Sequence, residues 1–243
     1  MKTPESLNMM EGDSLHATDG IIGKIREFYF DDSTWNVRYA VVELGSWLNS
    51  REVLIASSLL GKPDSLHSAV PVSLTKEQVE SSPDSDTDMP AARQREADMR
   101  RRYEHGVFFS WGDAFIGSHN FDIPQFAESE LTQNAGGKEF DPHLRSTRFV
   151  RGSAVHATDG TIGHVRDFVV DDESWVVKGL VVEFGSLFDM KKVLVPCEWV
   201  TGISDEDAIV TMKATKEMIK SAPAVENHAL EHEIGAGNAS MKA

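Results

Sequence analysis

SLHATDGIIGKIREFYFDDSTWNVRYAVVELGSWLNSREVL, which starts at Ser14, returns 140 residues later, from Ala154, as AVHATDGTIGHVRDFVVDDESWVVKGLVVEFGSLFDMKKVL. The alignment runs without a gap from Gly12–Pro83 to Gly152–Pro223 and holds 27 identities in 72 positions. A repeat of that quality means two units of one fold. The tails still correspond: VPVSLTKEQVESSP from Val70 against VTMKATKEMIKSAP from Val210. The residues between Pro83 and Gly152 match neither copy.

Each copy reads as short strands. Ile21 to Phe30 is rich in branched and aromatic residues. It follows Thr18-Asp19-Gly20, a turn signal repeated at Thr158-Asp159-Gly160, where Asp bonds nearby backbone and Gly accepts positive φ. Apolar residues fall at Ile22, Ile25, Phe28 and Phe30, and again at Ile162, Val165, Phe168 and Val170. That 3, 3, 2 spacing competes with a helix, but Gly23 and Gly163 and the short length favour a strand with a bulge or strong twist. Asp31-Asp32 and Asp171-Asp172 mark turns. Val37 to Leu44 and Val177 to Phe184 follow, with apolar residues on both faces at one end, which suits a closed small barrel. Val53 to Ile55, Val193 to Val195, Val70 to Val72 and Val210 to Met212 complete the strands. Thr75 to Ser82 and Thr215 to Ala222 read as short helices capped by their threonines.

The organisation expected is therefore repeat 1 at 10–83, a connector at 84–147 with a helix near 90–104, repeat 2 at 148–225, and a frayed tail at 226–243. In the connector, Pro90 opens PAARQREADMRRRY, a proline-first helix. The aromatic, Gly- and Pro-broken stretch from Val107 to Phe126 reads as loop.

Composition removes several classes. Against 24 Lys and Arg stand 39 Asp and Glu, a formal charge of −15, which repels phosphate backbones, so no nucleic-acid partner is expected. The single Cys197 supplies neither an internal disulfide nor a paired-cysteine metal site and suits a reducing cytoplasm. MKTPESLNMMEGDSL has no apolar secretory core, and no run approaches the ~18 apolar residues of a membrane span. P-loop, GxGxxG, GxSxG, HExxH and CxxC signatures do not occur.

The ordered string ATDGxIGxxRxF, DD, Trp, VVEfGS and VL stands at Ala17 to Phe28, Asp31-Asp32-Trp35 and Val41 to Ser46. It stands again at Ala157 to Phe168, Asp171-Asp172-Trp175 and Val181 to Ser186. Each copy resembles a PRC-barrel domain, the small β-barrel named after the cytoplasmic part of the photosynthetic reaction-centre H subunit. A similar barrel forms half of a bacterial ribosome-maturation factor. The resemblance implies a mainly β protein of two tandem small barrels with short helices, joined by a helix-containing connector. It implies assembly and interaction more than catalysis, and it names no cofactor.

Candidate sites divide by chemistry. Asp31, Asp32, Asp171 and Asp172 are the candidates for a divalent cation or acid–base pair, but oxygen-only sites need several convergent ligands, and turn chemistry is the stronger reading. His16 and His156 read as strand-edge residues beside the turns. Arg26 with Glu43, and Arg166 with Glu183, read as cross-strand pairs. Asp19, Gly20, Asp159 and Gly160 are turn residues, and Trp35 and Trp175 turn or core residues. Cys197, aligned with Ser57, has no activating neighbour. Trp47, Leu48, Leu187 and Phe188 sit at matched loop tips and are the interface candidates. Arg93, Arg95, Arg100, Arg101 and Arg102 form the dense basic run that would meet an acidic partner or pair with neighbouring acids.

The leading expectation is a non-enzymatic interaction or assembly module with an unknown protein partner. Its two barrels would pack as a pseudo-twofold pair, with a homodimer left open. One alternative is a soluble H-subunit-like protein docking on a membrane complex. The other is a small metal-dependent hydrolase using the Asp-Asp turns.

Overall fold

A computed structural model of the chain describes residues 5–46, 49–85, 141–186 and 189–225. The expected connector helix near 90–104, the interface candidates Trp47, Leu48, Leu187 and Phe188, and the basic residues Arg93, Arg100, Arg101 and Arg102 lie outside these residues.

The first repeat comprises β1 (Glu5–Ser6), α1 (Leu7–Met10), β2 (Ser14–Ala17), β3 (Gly20–Asp31), β4 (Val37–Ser46), β5 (Asn49–Ala56), β6 (Ala69–Pro71) and α2 (Lys76–Glu80). The second comprises β7 (Leu144–Ser146), α3 (Thr147–Val150), β8 (Ala154–Ala157), β9 (Gly160–Val170), β10 (Val177–Ser186), β11 (Asp189–Pro196), β12 (Val200–Ser204), β13 (Ile209–Met212) and α4 (Lys216–Lys220). The chain is mainly β, in two sheets with a few short helices. One runs β5-β4-β3-β2-β6 with β7 on β3, the other β11-β10-β9-β8-β13-β12 with β1 on β9. No pairing among the described residues closes either sheet on itself, which departs from the closed barrels expected.

The 3, 3, 2 spacing of the long strand has its physical origin in bulges. The β3–β4 register slips between Ile25 and Glu27, leaving Arg26 as the extra residue, and β9–β10 slips alike at Arg166. A second slip, between Leu15 and His16, falls opposite Ile22 in the β2–β3 pair. Each bulge adds a residue and a local twist, so apolar side chains three apart still face one core.

The long strands outrun their own partners. β2 pairs with β3 only over Gly20–Lys24, and β8 with β9 only over Gly160–His164. The far half of each edge would present unpaired backbone, a costly state when buried. The other repeat fills it. Glu5 and Ser6 of β1 pair with Val170 and Val169, and Ser146, Arg145 and Leu144 of β7 pair with Tyr29, Phe30 and Asp31. The repeats thus exchange their N-terminal segments reciprocally.

Exchange merges the cores. Leu7, Met10, Phe28 and Phe30 share one buried cluster with Val150, Phe168, Trp175 and Leu180, and the Phe30 and Phe168 rings lie 5.2 Å apart. The hairpin tips cross too: Val37 N donates to Trp175 O and Val177 N to Trp35 O, each at 2.8 Å. The second apolar face, which suggested barrel closure, holds Tyr29, Val41 and Leu54 under Leu144 of the exchanged segment.

Gly163 lies where the strands approach closely: a Cβ there would sit 2.8 Å from Phe184 Cβ and collide with the Glu183 carbonyl. Gly163→Ala is expected to lower stability by about 1–3 kcal/mol, as overpacking does. Gly202→Ala, whose Cβ would meet nothing within 4 Å, is expected to shift it by no more than about 0.5 kcal/mol. Denaturant titration of both variants checks the contrast.

Candidate functional site

The seam between the repeats gathers most of the unusual chemistry. Ser6 caps α1, accepting from Met9 N at 3.1 Å, and its hydroxyl donates to Asp167 Oδ2. Ser146, 140 residues on, caps α3 and donates to Glu27 Oε2. Glu27 and Asp167 are themselves equivalent, and both are buried. Each acid sits beside a bulge. There Phe168 N donates to Asp167 Oδ1 at 2.7 Å, and Phe28 N to Thr147 Oγ1 at 3.1 Å. Buried polar groups must be satisfied, and here the other repeat satisfies them.

The seam's rim is asymmetric. Arg151 donates from one nitrogen to both Glu11 carboxylate oxygens at 2.7 Å and from another to Asn8 Oδ1. On one flank, Lys62 reaches Asp172 at 2.8 Å. On the other, residue 202 is glycine in place of lysine, and Asp32 is met instead by Arg145 Nε at 2.6 Å and His143 Nδ1 at 2.8 Å. Arg145 also donates to Asp205 at 2.8 Å, whose other carboxylate oxygen is buried with no hydrogen-bond partner among the described residues. Beside Arg145 opens a cleft of about 310 Å³, lined by Asp32, Ser33, His143, Arg145 and the β12 residues Val200 to Ile203. Asp32 holds the His143 imidazole above its ordinary pKa.

The residues singled out from sequence fall mostly on turns. Asp31 Oδ1 accepts from Ser33 N, Thr34 N and the Ser33 hydroxyl, and Asp171 Oδ1 accepts likewise from Glu173 N, Ser174 N and the Ser174 hydroxyl. Those bonds hold both acids below the ordinary carboxylate range despite partial burial of Asp31. The four aspartates therefore divide: Asp31 and Asp171 shape turns, while Asp32 and Asp172 form ion pairs across the seam. Among the described residues no group of three His, Cys, Asp or Glu converges as for a metal. Asp19 and Asp159 accept from Lys76 N and Lys216 N at 2.9 and 2.8 Å, tying each TDG turn to a helix start. Gly20 and Gly160 take positive φ, and so do Trp35 and Trp175, at 62° and 54°. Trp175 packs on Phe28 and Trp35 on Phe30, at 5.8 and 5.7 Å between centroids.

Arg26 and Glu43 form an ion pair, and Arg166 and Glu183 a looser one at 3.9 Å. Cys197 donates to Val177 O, as Ser57 does to Val37 O, and burial pushes its thiol up to about 12. His16 and His156 lie on β2 and β8. Sequence reasoning missed Glu27, Asp167 and both capping serines. The available signal was an acid in the same place within two apolar strands, EFYF and DFVV.

Burial raises the Asp167 carboxyl above its ordinary range; Ser6, the Phe168 and Asn8 amides and the Arg151 charge pull the other way. The folded protein thus holds this proton more tightly than the unfolded chain. Its contribution is fullest at low pH, declines as pH rises through the raised pKa, and is flat above it. In Asp167→Asn this slope is expected to vanish, so that the stability gap from wild type varies in the acid range and is constant at neutral pH. Denaturant titrations across pH read it, and parallel curves throughout would contradict it.

Comparison with known proteins adds one positive finding. No curated protein matches the chain. Residues 145–219 match the sequence model of the PRC-barrel domain, so the second repeat, from β7 through most of α4, carries a PRC-barrel domain.

Proposed function

We propose that the chain is a non-enzymatic interaction and assembly module in which both repeats are PRC barrels, and that it holds an extended segment of a protein partner in the cleft beside Arg145. The domain type favours assembly over catalysis. The observation that carries the reading is the cleft itself, present on the flank where Gly202 stands in place of Lys62. Among the described residues β12 pairs with β13 alone. Its outer edge therefore offers backbone donors and acceptors to an added strand. Facing that edge, Arg145 offers cationic N–H groups to carbonyl or carboxylate oxygens of the occupant, and His143 offers a ring nitrogen. His143 Nδ1 is engaged by Asp32, so Nε2 is the nitrogen left for a ligand. The pairing of Asp32 with Arg145, and of Asp172 with Lys62, argues against the hydrolase alternative, because each carboxylate already serves the seam. Among the described residues no helix is long and apolar enough to cross a membrane, and nothing specific favours the reaction-centre alternative.

Gly202→Lys restores on this flank the residue found on the other. A tagged full-length chain is expected to retain a stoichiometric partner from native lysate. The variant is expected to lose at least tenfold of it, about 1.4 kcal/mol of affinity. Equal capture by wild type and variant would remove the cleft from the account. Recovery of wild type alone would overturn the assembly reading.

A further inference from the structure

Independently of the cleft, we propose that the seam carries a pairing code in which repeat 1 accepts repeat 2 and rejects its own kind. Its key is the contact between Glu11 and Arg151. These residues are equivalent, 140 positions apart, and they touch one another. In a pseudo-twofold pair a residue that touches its own equivalent lies at the axis. Two copies of repeat 1 joined in the same way would therefore set Glu11 against Glu11, and two copies of repeat 2 would set Arg151 against Arg151. The neighbouring position deepens the discrimination. Asn8, which accepts from Arg151, has Arg148 as its equivalent, so a pair of second repeats would gather arginines where the native seam has one arginine held by Asn8 and Glu11. Both ionic side chains are largely enclosed, at 20% and 24% exposure, so water screens the repulsion poorly. Burial raises the Glu11 carboxyl pKa, and the Arg151 hydrogen bond and charge oppose that rise. Around the pair stand Asp167, also buried, and Arg148. Attraction in the right pairing and like-charge contact in the wrong ones is how specific interfaces separate partners. The surface thus fits one partner, the opposite repeat, whether in the same chain or in a second copy.

The full chain tests this directly. Glu11→Arg and Arg151→Glu, each alone, place like charges at the axis. Each is expected to lower Tm by about 5–10 °C. The double reversal Glu11→Arg/Arg151→Glu is expected to recover most of the loss. The sharper arm is a mixture. When the two single variants are unfolded and refolded together, every axial contact between unlike chains becomes Arg against Glu. A heterodimer is then expected by size-exclusion chromatography with light scattering, and neither variant alone should form it. Wild-type Tm in both single variants, no recovery in the double reversal, or a co-refolded mixture that stays monomeric would overturn the code.

Discussion

A serine hydroxyl donated into a buried carboxylate of the opposite repeat is the interaction on which the rest depends. Ser6 meets Asp167 and Ser146 meets Glu27. An acid in the middle of an apolar strand is costly unless its oxygens are bonded. Each acid belongs to a strand too long for its own partner and interrupted by a bulge. The segment that supplies the serine also supplies the missing strand and a capped turn of helix. It brings an apolar residue to the shared core as well, Leu7 in one direction and Val150 in the other. Removing the segment would expose an edge, a carboxylate and a hydrophobic face together. That coupling is why the two repeats form one core rather than two beads.

Local signals made much of the fold legible. The offset of 140 located every long strand in both copies, because identical residues must serve the same backbone. The 3, 3, 2 spacing pointed to bulges, since a regular strand cannot place residues three apart on one face. Thr75 and Thr215 cap their helices through bonds a sequence reader expects. The exchange was illegible for an equally physical reason. Between Glu5–Glu11 and Arg145–Arg151 only Ser6 and Ser146 are identical, so the legible alignment starts at Gly12. Leu144 to Ser146 consequently read as connector. The doubly apolar β4 and β10 signalled burial on two faces, but sequence cannot say whether a sheet curls shut or another segment covers it.

What the copies share and where they differ divide the molecule by role. Shared residues such as Asp19, Asp31, Trp35 and Gly23, with their equivalents, build turns, tips and close approaches. Some of the differing positions lie along the seam: Glu11 against Arg151, Glu5 against Arg145, Lys62 against Gly202. These differences turn an interface of twofold type into a directional one, with an ion pair closing one flank and a cleft opening the other. The candidate site was invisible in sequence because no single copy contains it. Asp32 and Ser33 come from one repeat, and Val200 to Ile203 from the other.

The exchange itself is tested most directly by disulfide trapping in a Cys197→Ser background. Ser6 and Val169 are paired neighbours across β1 and β9, a separation that suits a disulfide. Tyr29 is the place in its own repeat that Ser6 would adjoin without exchange. Ser6→Cys/Val169→Cys should oxidise to a monomeric, internally cross-linked chain, and Ser6→Cys/Tyr29→Cys should not. Cross-linking of the Tyr29 pair in place of the Val169 pair would contradict the account.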